Sequence, residues 1–78
     1  MSTADDTVYE VLAEVTGTDR AEIREDMDLV GDLDIDSPDA LRLLVELEDR
    51  LGIEISDEDA AAMDKVSDIL KYVREHAG

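Results

Sequence analysis

Apolar residues recur at helical spacing in three separate stretches of this chain, and this recurrence limits the chain to a helical fold. In the first stretch they repeat at i, i+3, i+4 and i+7 with acidic residues between them, as in a helix with one buried face. The first stripe consists of Val8, Val11, Leu12 and Val15. The second is predicted from Leu41, Leu44, Val45 and Leu51, with Leu47 alongside, and the third from Val66, Ile69, Leu70 and Val73.

The ends of these helices are indicated by capping residues. The first helix is predicted from about Asp5 to Val15, with Gly17 ending it, and Gly52 ends the second. Ser37 is predicted to cap the second helix, because Pro38 suits the first helical position and favours an extended residue before it. A capping-box pattern at 56–59 predicts a short third helix, and Asp64 is predicted to cap the fourth.

A charged segment from Thr18 to Asp36 separates the first two helices. Its apolar residues are spaced irregularly, which is typical of a loop held to the core by single anchors. They are Ile23, Met27, Leu29, Leu33 and Ile35. We therefore predict an all-α fold, a small four-helix bundle of three main helices and a short third one, with a long loop between helices 1 and 2. Residues 1–78 are expected to form a single domain.

The charge balance restricts the partners. The chain has 23 acidic residues against 7 lysines and arginines, a formal net charge of −16. Such a charge disfavours nucleic acid and anionic membranes and favours proteins with basic patches. The sequence shows neither a signal peptide nor an apolar stretch of membrane-spanning length, so we expect a cytoplasmic monomer.

The sequence contains no base placed to activate a nucleophile, no metal-binding cluster and no phosphate-binding loop. There is no cysteine, and the single histidine is His76 near the C-terminus, so nothing nearby can activate Ser37 as a nucleophile. We therefore predict that the protein is not an enzyme and has no catalytic residues. Chemistry at Ser37 would have to be performed by another protein.

Alternating acids precede Ser37 and imitate the start of a calcium-binding EF-hand loop. Counted from Asp32, however, the sixth position is Ser37 where such a loop needs glycine, and the twelfth is Leu43 where it needs glutamate. A dedicated metal site is not expected.

Three blocks in the same order resemble the acyl carrier protein family. Asp32 to Ser37 resembles the family signature Asp-Leu-Gly-x-Asp-Ser-Leu. The segment from Gly52 to Glu58 resembles the stretch after the family's second helix. Lys65 to Asp68, continuing through Tyr72 and Val73, resembles its last helix.

The resemblance implies a function and a site. A separate phosphopantetheinyl transferase would attach 4′-phosphopantetheine from coenzyme A to Ser37, beside Asp36, and its thiol would hold acyl groups as thioesters for fatty acid, polyketide or related synthesis. The acyl chain would enter between the second helix and the Ile53 to Met63 region. Acyl-transferring and chain-modifying enzymes with basic docking patches would bind the second helix. Its candidate docking residues are Asp39, Arg42, Glu46, Glu48 and Asp49.

Three residues depart from the family pattern. Pro38 replaces the usual leucine, which removes an apolar contact available to the transferase and keeps the geometry of a helix start. Asp34 stands at a glycine position that tolerates positive φ, and aspartate is among the better substitutes there. Arg42 places a positive charge where many members are acidic, and we expect it to select partners.

Other interpretations stay open. The Ser37-Pro38 pair is also typical of a proline-directed phosphorylation site on an acidic interaction module, since a phosphate is favoured at a helix N-terminus. An acidic divalent-ion-binding module with Ser37 unmodified is a second alternative. Within the carrier class, an aminoacyl or peptidyl cargo is a third.

Overall fold

Four helices form the framework of the molecule. A computed structural model describes residues 3–76, and within that range the structure is all-helical and contains no strand, which confirms the predicted fold class. The helices are α1 (Ala4–Thr16), α2 (Ser37–Leu51), α3 (Asp57–Ala61) and α4 (Val66–His76), with a single 3₁₀ turn at Arg20–Glu22. None of the helices between residues 3 and 76 is both long enough and apolar enough to span a bilayer.

The C-terminal ends of α1 and α2 follow the predicted signals, and the start of α1 has a capping box that was not predicted. Thr3 and Asp6 form a capping box at the start of α1, each side chain accepting the other's backbone N–H. Gly17 and Gly52 adopt left-handed backbone angles at the C-termini, with φ of 71° and 65°. Ser56 caps α3 by accepting the N–H of Asp59 at 3.1 Å, as predicted.

The start of α2 differs from the prediction, because Asp36 and not Ser37 is the N-cap. The Asp36 carboxylate accepts the backbone N–H of Asp39 at 3.0 Å. Its carbonyl accepts the N–H of Ala40 at 2.8 Å, which begins the helical hydrogen bonding at Ser37. Aspartate and serine are equally good N-caps, so either Asp36 or Ser37 could have capped α2. Pro38 is then the second helical residue, where its missing N–H costs nothing.

The buried core confirms the α1 and α4 stripes and corrects the α2 stripe. Val15 at the end of α1 is only partly buried, and the other predicted residues of both helices are buried. In α2, however, the buried residues are Leu43 and Leu47, whereas Leu41 is 65% exposed and Val45 is 52% exposed. Leu41 and Val45 lie on roughly the opposite face, since a step of two residues turns a helix by about 200°.

The long loop is held to the core as predicted and is also paired with the start of α4. Its anchors Ile23, Leu29, Leu33 and Ile35 are buried and Met27 is partly buried. The Leu29 N–H donates to the carbonyl of Asp64 at 2.9 Å, and the Val66 N–H donates to that of Met27 at 3.1 Å. These backbone hydrogen bonds hold the loop, and therefore the start of α2, in a defined position.

Side chains from two helices hold the segment between α2 and α3. Ile53 and Ile55 are buried. Glu48 of α2 accepts the Ile55 N–H at 2.9 Å, and the Tyr72 hydroxyl of α4 donates to the Glu54 carbonyl at 2.8 Å. Both polar groups of the Glu54–Ile55 peptide are therefore satisfied.

Candidate functional site

Ser37 is the first residue of α2 and is exposed. Because Asp36 caps the helix, the Ser37 hydroxyl makes no hydrogen bond with any residue between 3 and 76. An exposed hydroxyl without a partner is available to a modifying enzyme. No candidate general base was predicted for it, and the one histidine, His76, stacks on Tyr72 with ring centroids 4.0 Å apart.

The electrostatic setting of Ser37 has two opposing parts. The N-terminus of a 15-residue helix presents the positive end of its dipole, which favours an anionic ester on the Ser37 oxygen. The neighbouring carboxylates of Asp36 and Asp39 repel an anion. The Asp36 carboxylate, however, is directed at the backbone N–H of Asp39, which offsets part of its charge.

A cavity of about 190 Å³ lies beside Ser37. Apart from Asp36 and Ser37 at the start of α2, its lining is apolar. The other lining residues are Leu29, Val30 and Ile35 of the loop, Ala40, Leu43 and Leu44 of α2, Ala60 of α3, Met63, and Ile69 of α4. The arrangement can hold an apolar chain that begins at Ser37.

The position of the cavity agrees in part with the prediction that the acyl chain enters between α2 and the Ile53 to Met63 region. Ala60 and Met63 belong to the predicted 53–63 segment, whereas Ile53 and Ile55 are not part of the lining. The long loop contributes one whole wall, which the sequence did not indicate. That contribution depends on the hydrogen bonds between the loop and the start of α4, which join residues far apart in the chain.

Two of the predicted docking acids are engaged within the protein. Glu46 pairs with Arg50 at 3.0 Å, and Glu48 accepts the Ile55 N–H. Arg50 also donates a hydrogen bond to Glu14 of α1 at 2.7 Å, and this bond raises the pKa of Arg50. Within residues 3–76, the side chains of Asp39 and Asp49 make no ion pair, which leaves them for an external partner.

Arg42 is exposed and is not ion-paired with any residue of the described range. The other arginines all pair with carboxylates: Arg20 with Asp6, Arg24 with Asp26, Arg50 with Glu14, and Arg74 with Asp5. Arg42 therefore keeps an uncompensated positive charge on the surface of α2.

Leu41, Arg42 and Val45 together form the exposed face of α2. Val30, in the loop before it, is 71% exposed. Sequence reasoning missed this face because it assigned Leu41 and Val45 to the core. The signal that would have found it is the presence of more apolar residues in α2 than one buried stripe can use.

Two of the acids before Ser37 accept hydrogen bonds from the backbone. Asp32 accepts the Asp28 N–H at 2.8 Å, and Asp36 caps α2. Between residues 3 and 76, no three potential ligands lie close enough together to hold a metal ion. Asp34 has φ of 55°, which confirms that this position is left-handed.

Comparison with known proteins agrees with this geometry. The family described as "Phosphopantetheine attachment site" matches residues 6–73. The chain is 38% identical over 71 residues to an acyl carrier protein of Solidesulfovibrio magneticus, covering 91% of each protein. It is also 38% identical over 68 residues to the meromycolate extension acyl carrier protein of Mycobacterium tuberculosis, covering 87% of the chain and 59% of that protein.

A solved structure shares the fold. It comes from Mycobacterium tuberculosis and is described as a candidate acyl carrier protein. The superposition has a TM-score of 0.87 at 32% identity and covers 94% of the present chain and 97% of the other.

Proposed function

The chain belongs to the acyl carrier protein family, and on that premise we propose that Ser37 is the residue that carries 4′-phosphopantetheine. Proteins of this family are carriers and not catalysts. The group is attached covalently and supplies a thiol that holds acyl groups as thioesters. The observation that carries the assignment is the exposed Ser37 hydroxyl, which has no partner at the start of α2 and lies beside an apolar cavity.

The residues around Ser37 fit such a group. The N-terminus of α2 favours the negative charge of a phosphodiester, and the exposed hydroxyl gives a transferase access. Asp36 supports the assignment indirectly, because its cap positions Ser37 and leaves the hydroxyl free.

The cavity supports an acyl cargo over an aminoacyl or peptidyl one. Apart from Asp36 and Ser37 its walls are apolar, so the rest of the cavity offers no partner for a charged amino group. An aliphatic chain that enters it gains about 0.8 kcal/mol for each buried methylene. We propose that the protein carries aliphatic intermediates of fatty acid, polyketide or related synthesis.

The partners proposed are a phosphopantetheinyl transferase and enzymes that transfer or modify acyl groups. We propose as docking elements the exposed face of α2 and the carboxylates of Asp39 and Asp49, which make no ion pair within residues 3–76. Acids here suit basic patches on those enzymes, and the apolar side chains of the face suit a complementary apolar surface.

The experiment is modification in vitro. The apo protein is incubated with coenzyme A and a broad-specificity transferase, and its intact mass is measured. We expect one phosphopantetheine adduct, lost in Ser37→Ala and kept in Ser67→Ala, a matched change at an exposed serine of α4. Pro38→Leu tests whether the proline only slows the reaction. Failure of several transferases on folded Pro38→Leu protein would remove the assignment, and a bare phosphate in protein from the host would support the phosphorylation alternative.

A further inference from the structure

Glu48 lies beside the exposed face of α2 and also contacts the segment that follows the helix. It comes seven residues after Leu41, which is about two helical turns, so the two residues lie on nearly the same side of α2. Its Oε2 atom accepts the backbone N–H of Ile55 at 2.9 Å. Its other oxygen, Oε1, has no hydrogen-bond or ion-pair partner among residues 3–76. A carboxylate accepts several hydrogen bonds, so Glu48 can hold Ile55 and still receive a basic group from an enzyme.

The peptide group between Glu54 and Ile55 connects Glu48 to α4. Its N–H donates to Glu48, and its carbonyl accepts a hydrogen bond from the hydroxyl of Tyr72 at 2.8 Å. Hydrogen bonds in such a chain strengthen one another. Burial above all, and then the carboxylate of Asp59, raises the pKa of Tyr72, so its hydroxyl keeps its proton and stays a donor at neutral pH. The orientation of the Glu48 carboxylate therefore depends on a side chain outside α2.

We propose that Tyr72 is a positioning residue for enzyme docking: through the Glu54–Ile55 peptide it holds the Glu48 carboxylate ready for a basic side chain of the phosphopantetheinyl transferase. The inference rests on the proposed docking of that enzyme on α2. A glutamate on a surface normally occupies several rotamers, and binding has to select one of them. A side chain that is already fixed avoids part of this entropic cost. Asp49 is exposed and has no such support among the described residues, so it serves as the comparison.

The test measures kcat and KM for the loading of the apo protein by a broad-specificity phosphopantetheinyl transferase, at one salt concentration. Tyr72→Phe removes the hydroxyl and keeps the aromatic ring. It should raise KM about two- to tenfold and leave kcat unchanged, because Tyr72 acts on binding and does not line the cavity beside Ser37. Tyr9→Phe makes the same change on α1 and should leave both constants unchanged.

Double variants distinguish positioning from a general loosening of the fold. Glu48→Gln can still accept the N–H of Ile55 but has lost its charge, and by itself it should also raise KM. In the Glu48→Gln protein, the additional change Tyr72→Phe should have no further effect on KM. In the Asp49→Asn protein, Tyr72→Phe should raise KM by the same factor as in the original sequence.

Three results would overturn the inference. They are an unchanged KM in Tyr72→Phe, an unchanged KM in Glu48→Gln, and an equal effect of Tyr72→Phe with and without Glu48→Gln. Intact mass verifies the adduct in every sample, so any of these results would leave Ser37 as the proposed attachment site. Absence of the adduct in the original protein would instead count against the attachment site, and the inference would fall with it.

Discussion

Asp36 caps α2 and thereby leaves the hydroxyl of Ser37 without a hydrogen-bond partner among residues 3–76. If serine were the cap, its oxygen would be bound to a backbone N–H and would have to leave it in order to react. The arrangement places the structural role on Asp36 and leaves Ser37 for the chemical role that we propose. A group attached to Ser37 would then not loosen the helix.

This division predicts different stabilities for two adjacent alanine variants. Asp36→Ala should lower the free energy of unfolding by about 1 kcal/mol, because it removes the cap. Ser37→Ala should change it by less than about 0.5 kcal/mol, because its hydroxyl has no partner to lose. Urea denaturation of both variants measures the difference. If Ser37→Ala proves as destabilising as Asp36→Ala, serine is the working cap.

Asp68 is predicted to make stability depend on pH in acid. Its carboxylate accepts hydrogen bonds from the backbone N–H groups of Asp64 at 2.9 Å and Lys65 at 3.0 Å. These two bonds hold the pKa of Asp68 below the ordinary 3.8, and the bond from Asp64 has the larger effect on the pKa. A lowered pKa in the folded state stabilises the protein above pH 3.8, and this contribution is lost as the pH falls through the lowered value.

The measurement compares the original protein with Asp68→Asn, which keeps the shape and loses the charge. The original protein should be more stable near neutral pH, and the difference in the free energy of unfolding between the two proteins should disappear as the pH falls below 3.8. Because both proteins are compared at each pH and salt concentration, the general relief of acidic repulsion affects them almost equally. A gap that stays constant across the titration would show that the Asp68 charge contributes nothing.

At the scale of the elements, α2 has two apolar faces with different uses. Leu43 and Leu47 face the core, and α1 packs against α2 and α4. Leu41 and Val45 are exposed to solvent. A helix that is apolar on both sides is expected where one side builds the core and the other meets a partner.

Two leucine truncations distinguish these faces. Leu47 is fully buried, and Leu47→Ala should lower the free energy of unfolding by about 2 to 5 kcal/mol through lost burial and a new cavity. Leu41→Ala removes the same atoms from an exposed site and should cost less than about 0.5 kcal/mol. Chemical denaturation of the two variants is the measurement, and equal losses would mean that Leu41 is buried in solution.

Most of the helical fold could be predicted from the sequence, and the predictions that were wrong have physical causes. The stripes of α1 and α4 were readable because each holds just enough apolar residues for one face. In α2 the apolar residues are numerous enough that either of two faces of the helix could be the buried one. At the start of α2, either Asp36 or Ser37 could be the N-cap. The loop's backbone pairing with α4 was invisible, since it joins Met27 and Leu29 to residues over thirty positions away without any side-chain pattern.

At the scale of the whole molecule, the net charge of −16 is expected to favour partners with basic surfaces. Affinity for a host acyl-handling enzyme should fall as ionic strength rises, because the attraction is screened. Asp49→Lys should weaken binding more than Glu75→Lys, which makes the same change of charge on α4. Glu48→Lys is the less specific variant, since it also breaks the hydrogen bond to Ile55. Binding that is indifferent to salt and equal in the two lysine variants would contradict electrostatic docking through α2.

Arg42 is predicted to distinguish among those enzymes. Being exposed and unpaired within residues 3–76, it favours a partner with an acidic residue opposite and opposes one with a basic residue there. Arg42→Glu should therefore reorder the affinities of a panel of host acyl-handling enzymes, measured at one salt concentration. An unchanged order would show that Arg42 has no part in partner choice.

Mass spectrometry of the protein isolated from its own host tests whether Ser37 carries the phosphopantetheine arm. We expect an intact mass raised by one phosphopantetheine group, with or without an acyl group on its thiol, and fragmentation that places the addition on Ser37. The chain has no cysteine, so every thioester found must be on that arm. A protein that is wholly unmodified, that carries a bare phosphate, or that bears the arm on another residue would show that Ser37 is not the attachment site.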